Sequence, residues 1–232
     1  MKSIKIYFVS LGFLMATNSF SQIGNITDIG GKPLMASKYS KIEGSPYYFG
    51  TNTWMDGVLY TADGKKVDGV RLRYNAFEDE VEYRVNSNVL IIDNYNLSGF
   101  DFFYQPEDGT NRELYQFRNG YSIPGEIEKT DFFKVIYSGT NFSLLEELKM
   151  IETKVTPATY GASEYTKFVK DESTFLIIDG QVRKFKNRKS DYYEIAPEKK
   201  DEIKRLVKEN YNRFASDQEI RDLLKEIDSK IL

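Results

Sequence analysis

The chain has no cysteine and no histidine. The first absence removes disulfides, thiolate metal sites and cysteine nucleophiles. The second removes Ser-His-Asp and Cys-His mechanisms and imidazole-bound zinc. Any chemistry would fall to carboxylates, Lys, Tyr or an oxygen-ligated hard cation. No catalytic or cofactor motif is present, so the reading assigns no catalytic residue, no metal ligand and no cofactor. A positive excess is missing too: 32 Lys and Arg stand against 35 Asp and Glu, which speaks against a nucleic-acid binder. After residue 21 no apolar run reaches the ~18 residues that a membrane-spanning helix requires.

What is present begins with an address. Lys2 and Lys5 precede an apolar run from Ile6 to Ala16, and Ser19-Phe20-Ser21 places small residues at −3 and −1 before Gln22. This is the pattern of a cleavable secretory signal over residues 1–21, cut between Ser21 and Gln22. Without a cysteine at the cut, Gln22 is expected as a free or cyclised N-terminus. The expected location is the periplasm, the outer membrane surface or the medium. Loss of Lys2 and Lys5 takes the net charge from −3 to −5.

Residues 22–195 read as one antiparallel β domain. Short β-forming runs (58–60, 70–74, 89–92, 100–104, 114–117, 132–137, 175–178, 182–186) alternate with turn signals: Asp63-Gly64, Asp68-Gly69, Pro106 to Gly109, Asn119-Gly120, Ser138-Gly139 and Asp179-Gly180. Asn-Gly and Asp-Gly between β-formers are strong hairpin signals, because both residues reach positive φ at little cost. The expectation is an antiparallel meander forming a curved sheet or open barrel. Residues 23–39 show no period. In 142–155, Leu144, Leu145, Leu148 and Ile151 fit a helical face, whereas the turn Gly139 to Asn141 before them favours a returning strand, the reading preferred here.

For one hairpin the alternation sets a register. Pairing Tyr74 with Asp79 across the loop 75–78 places Leu72 opposite Val81, Val70 opposite Tyr83, Arg73 opposite Glu80 and Arg71 opposite Glu82. A slip of two residues keeps the faces but sets Arg71 against Arg84. Residues 196–232 change character. Pro197 suits a first helical position, and Ile203, Leu206 and Val207 share a face. Ser216 and Glu219 form a capping box before Ile220, Leu223, Leu224 and Ile227. Two amphipathic helices, joined near 213–215, are expected to pack on the β domain.

Several features together resemble exported proteins of uncharacterised function that are abundant in Bacteroidota. They are the signal ending in Ser-Gln, the Tyr47-Tyr48, Trp54 and Gly57 stretch, Asp63-Gly64-Lys65, Arg73-Tyr74-Asn75, the basic run Phe185 to Lys189 and the paired terminal helices. The resemblance implies a Gram-negative envelope and carries over no reaction.

Three constellations invite function. Glu78-Asp79-Glu80 with Glu82 is more simply a turn and a strand face than a calcium or glycosidase site. Arg183, Lys184, Lys186, Arg188 and Lys189 could meet lipid phosphates, but they also suit a guarded edge strand. Aromatic side chains make up 15% of the chain, and Tyr47, Tyr48, Trp54, Phe102 and Tyr104 are the candidate ligand-binding residues on a concave aromatic face. The leading expectation is a non-enzymatic scaffold that binds another envelope protein. The alternative is a carrier or sensor of an apolar ligand, a lipid or a glycan.

Overall fold

The computed structural model describes residues 31–33, 39–85, 88–105, 112–123, 126–159, 163–213 and 215–231. The signal segment and the turn at 106–109 lie outside them. The chain is mainly β: among the described residues twelve strands join one curved, unclosed sheet, with helices following at the C-terminus. In chain order these are β1 Lys32–Pro33, β2 Ile42–Glu43, β3 Met55–Thr61, β4 Lys66–Asn75, β5 Glu80–Val85, β6 Asn88–Ile92, β7 Leu97–Tyr104, β8 Glu113–Arg118, β9 Phe133–Ser138, β10 Phe142–Val155, β11 Tyr165–Ile178 and β12 Gln181–Phe185. Their order across the sheet is β1-β6-β5-β4-β3-β7-β8-β9-β10-β11-β12. β2 lies off this path and pairs parallel with β11, which makes the sheet mixed.

The sharp turns follow the sequence. Gly64 and Gly180 sit at φ 85° and 73°, and Asp179 at 51°, in the left-handed region that Gly and Asp tolerate best. Asp68-Gly69 is not a turn. It lies inside β4, next to a register shift in the facing strand between Gly57 and Val58. At Gly57 the constraint is space: a Cβ would run into the Asp101 backbone carbonyl of β7 and sit 2.7 Å from Leu72 Cδ1 of β4.

The β4–β5 hairpin forms, but in the slipped register. Tyr74 pairs with Val81, Leu72 with Tyr83, Arg73 with Glu82, and Arg71 with Arg84. Local turn chemistry contributes to this, since Asn75 Oδ1 accepts from the amides of Phe77 (3.1 Å) and Glu78 (3.2 Å), tightening the corner. The like-charged pair is relieved from the neighbouring strand. Arg71 reaches Asp56 (3.6 Å) and the Trp54 carbonyl (2.7 Å), while Arg84 lies over the Trp54 ring. A few tenths of a kcal/mol of cross-strand repulsion is outweighed by these third-strand contacts.

Residues 142–155 are strand throughout. Leu144 and Leu145 are both buried because both faces of the sheet are covered here. Leu144 packs with the C-terminal helices, and Leu145 with Ile127, Phe133 and Phe175. A strand buried on both sides loses its alternation and imitates a helical face.

The C-terminus forms α1 Lys189–Tyr193, α2 Lys200–Asn210 and α3 Asp217–Lys230. The capping box is in place: Ser216 N donates to Glu219 Oε2 at 2.8 Å, and Glu219 N to Ser216 Oγ at 3.3 Å. Ile220, Leu223, Leu224 and Ile227 pack with Ile136, Phe142 and Leu176 of the sheet. A polar clasp fixes the contact. Asp228 accepts from the Tyr137 hydroxyl (2.7 Å), the Thr140 amide (2.8 Å) and the Asn141 side chain (2.6 Å). Burial pushes the Asp228 carboxyl up, but these donors prevail and hold it below the usual range. No described helix is long and apolar enough to cross a membrane.

The main core lies between β3–β8 and the far half of the β10–β11 hairpin. Phe100, Phe102, Phe117, Phe132, Leu148, Met150 and Phe168 share one cluster, and the Met150 amide donates to the Ala76 carbonyl at 3.0 Å.

Candidate functional site

The ladder between β8 and β9 is two pairs long, Phe117 with Lys134 and Arg118 with Phe133. Continued outward, the register would set Gln116 against Val135 and Leu114 against Tyr137, but the strands part. The parting has local causes. Lys134 is drawn to Glu146 (2.9 Å) and to Asp217 at the start of α3 (2.7 Å). Arg221 of α3 donates through Nε to the Ile136 carbonyl at 2.8 Å, a group that a sheet neighbour would otherwise compete for. Burial disfavours the Lys134 ammonium, yet Glu146 and Asp217 outweigh it and raise its pKa, keeping it charged. The result is a groove of about 910 Å³ between the two strand edges and α3, with Leu114, Tyr115 and Val135 among the residues that line it. Leu114 is 50% exposed, one of the few large apolar side chains left in solvent among the described residues.

A second concavity, about 510 Å³, lies between the loop 39–52 and the outer face of the β4–β5 hairpin. Its floor is an ion pair. Arg73 Nε donates to Glu82 Oε2, and Glu82 is wholly buried. The Tyr47 hydroxyl donates to Glu82 Oε1 at 3.2 Å, and Arg73 Nη1 to Asn52 Oδ1 at 2.9 Å. The guanidinium carbon lies 4.3 Å from the Tyr47 ring centroid and 4.4 Å from that of Trp54, so cation–π attraction replaces part of the lost hydration. Burial, reinforced by the Glu82 charge, lifts the Tyr47 phenol well above its ordinary pKa. Tyr39 on the rim, bonded to Glu78 at 2.9 Å, is pushed up to about 12, chiefly by burial.

No family model matches the chain, and no curated protein or solved structure matches it. Function is therefore read from these two concavities and from where the candidate residues fall.

Of the five aromatic candidates, Tyr47 lines the smaller pocket. Trp54 lies behind it, over Arg73 and Arg84. Tyr48 is buried with its hydroxyl on Glu146 at 3.1 Å. Phe102 is fully buried in the main core. Tyr104 stacks on Phe49 at 4.5 Å between centroids. Tyr48, Phe102 and Tyr104 thus meet around Phe49 in the main core, whereas Tyr47 and Trp54 meet at Arg73. The acidic run disperses as well: Glu78 turns to Tyr39, Asp79 inward to the Tyr74 hydroxyl and Asn94, Glu80 towards the pocket, and Glu82 beneath Arg73. Among the described residues no three acidic side chains converge as a metal site would require. Arg183 and Lys184 lie on β12, the last strand of the sheet, where positive charge discourages edge-to-edge pairing.

Sequence reasoning passed over Asn52, Arg73, Leu114, Val135 and Arg221 as site residues. Each draws its meaning from a partner far along the chain. The one local signal was Leu114, an apolar residue at the start of a strand that also carries the polar Glu113 and Gln116.

Proposed function

We propose that this protein is a non-enzymatic binding scaffold of the cell envelope that takes up an extended segment of another protein in the groove between β8 and β9. The observation that supports it is the parted ladder. Along 113–116 and 135–138 each strand is paired on its outer side only, β8 with β7 and β9 with β10, and among the described residues no strand pairs with the two edges that face each other, so these edges form a template for strand addition. Leu114 at the rim offers an apolar anchor, and Arg221 and Lys225 on α3 offer polar contacts along the wall. The envelope setting rests on the N-terminal signal pattern.

The test is capture from envelope fractions of the native host with the mature chain as bait, beside a Leu114→Arg variant. Leu114 is half in solvent, so the variant should melt within about 0.5 kcal/mol of the parent. Expected is a protein recovered by the parent and lost by the variant; equal recovery by both would overturn the groove. Mature protein from the same fractions should begin at Gln22, and a Met1 terminus there would overturn the envelope assignment.

A further inference from the structure

From Arg183 to Arg213 the sequence carries 11 Lys and Arg against 6 Asp and Glu, in a chain whose net charge is −3. Such an asymmetry points to an anionic partner when the charges share a face. On α2 they do. Ile203 and Val207 are buried and fix its inner side, while Lys200, Lys204 and Lys208 recur at four-residue intervals and form one line along its flank. Tyr211 falls three residues further on, and the Lys189 ammonium lies 5.2 Å from the Tyr211 ring centroid. The Tyr211 hydroxyl donates to the Asn187 carbonyl at 2.9 Å, which brings the loop 186–188 to the same end of the line. Lys186, Arg188, Lys189, Lys200, Lys204 and Lys208 are all exposed.

The nearby acids do not neutralise this face. Asp191 accepts the amides of Lys186 (2.7 Å) and Arg188 (3.1 Å), a backbone role. Glu202 and Glu209, two turns apart, lie on a different flank of α2. Ion pairs join Lys204 to Asp201 (3.1 Å) and Lys199 to Glu202 (4.0 Å), and among the described residues none takes up Lys200 or Lys208. Neither the groove nor the smaller pocket is lined by any of the six cations. Five of the six are lysines, point charges without the guanidinium fork, which suit many spread phosphates better than one ligand held in fixed geometry. A cluster of this size beside an amphipathic helix is enough to hold an anionic bilayer, each group strengthening the contact roughly fivefold.

We infer that the basic face formed by α2 and residues 186–189 docks the protein electrostatically onto a bilayer of anionic phospholipid. A nucleic acid offers the same phosphates, and the envelope setting proposed above favours the bilayer.

The experiment sediments the full mature chain with vesicles of phosphatidylcholine alone, or with about one third phosphatidylglycerol. Expected is binding to the anionic vesicles only, lost as NaCl rises from about 0.02 M to about 0.5 M. A triple variant, Lys200→Gln, Lys204→Gln and Lys208→Gln, keeps helix propensity at exposed positions and should weaken binding roughly a hundredfold. The control Lys154→Gln, Lys167→Gln and Lys170→Gln removes as much charge from the far half of the β10–β11 hairpin, and should change binding less than about threefold. No binding to the anionic vesicles, equal binding to phosphatidylcholine alone, or an equal loss in both triple variants would each overturn the inference. Tighter binding to an oligothymidylate of about 20 nucleotides than to the anionic vesicles would overturn it in favour of a nucleic acid.

Discussion

At the scale of single residues, the most consequential group for solution behaviour is Asp79. It lies at φ 53° in the β4–β5 turn with its carboxyl turned inward. Burial, with Asp131 adding to it, raises the carboxyl to about 7, against the pull of the Tyr74 hydroxyl, the Phe132 amide and Lys149. The folded state thus holds a proton that the unfolded chain releases near ~4. Stability from this group is fully present below that value, falls as pH rises towards about 7, and is flat beyond. Urea unfolding followed from pH 5 to 8 should therefore show a decline that Asp79→Asn removes. An identical slope in parent and variant would refute the assignment. Asp228, held low by its donors, has the opposite sign: its contribution is lost only as pH falls below the ordinary carboxylate range, outside that window.

Among the elements, α3 is the clearest case of sequence and structure agreeing. The stripe Ile220, Leu223, Leu224 and Ile227 is core, and Leu224 is wholly buried. Leu224→Ala should cost on the order of 2–5 kcal/mol, read in a thermal or denaturant melt. A melt unchanged by the substitution would mean that the stripe is a docking face instead. The capping box made α3 legible because both partners lie within four residues. The hairpin turns at Asp63-Gly64 and Asp179-Gly180 were legible for the same reason. The register of β4 on β5 was not, because Asp56 on β3 and Trp54 just before it take part in holding it. Residues 142–155 are the strand that the preceding turn favoured, and the doublet of leucines that made a helical face compete with it is explained by a sheet covered on both faces. The pocket and the groove were least legible: Arg73 needs Asn52, and the groove needs Arg221 to reach Ile136, 85 residues away.

On the scale of the whole molecule, the parted ladder divides the sheet into two runs that are nearly contiguous in sequence, β1 with β3 to β8, and β9 to β12 with the short β2 added on β11. The two are joined on the concave side, where Leu148, Met150 and Phe168 from the later run complete the aromatic core of the earlier one. That arrangement has a temporal consequence. A chain made from its N-terminus forms the meander β3 to β8 from neighbouring segments, whose local contacts assemble fast. Until residues 132–168 have emerged, however, the cluster lacks Phe132, Leu148, Met150 and Phe168, and Phe100 lacks the ring of Phe132 that meets it at 5.0 Å between centroids. A chain ending at residue 130 should accordingly gain strand structure by circular dichroism while binding a hydrophobic dye such as ANS, and the full chain should not bind it. A truncated chain that excludes the dye would mean that the first run closes its own core. The nascent protein thus passes through an interval of adhesiveness set by the delay between its two halves, and whatever shields it then must act before the long hairpin arrives.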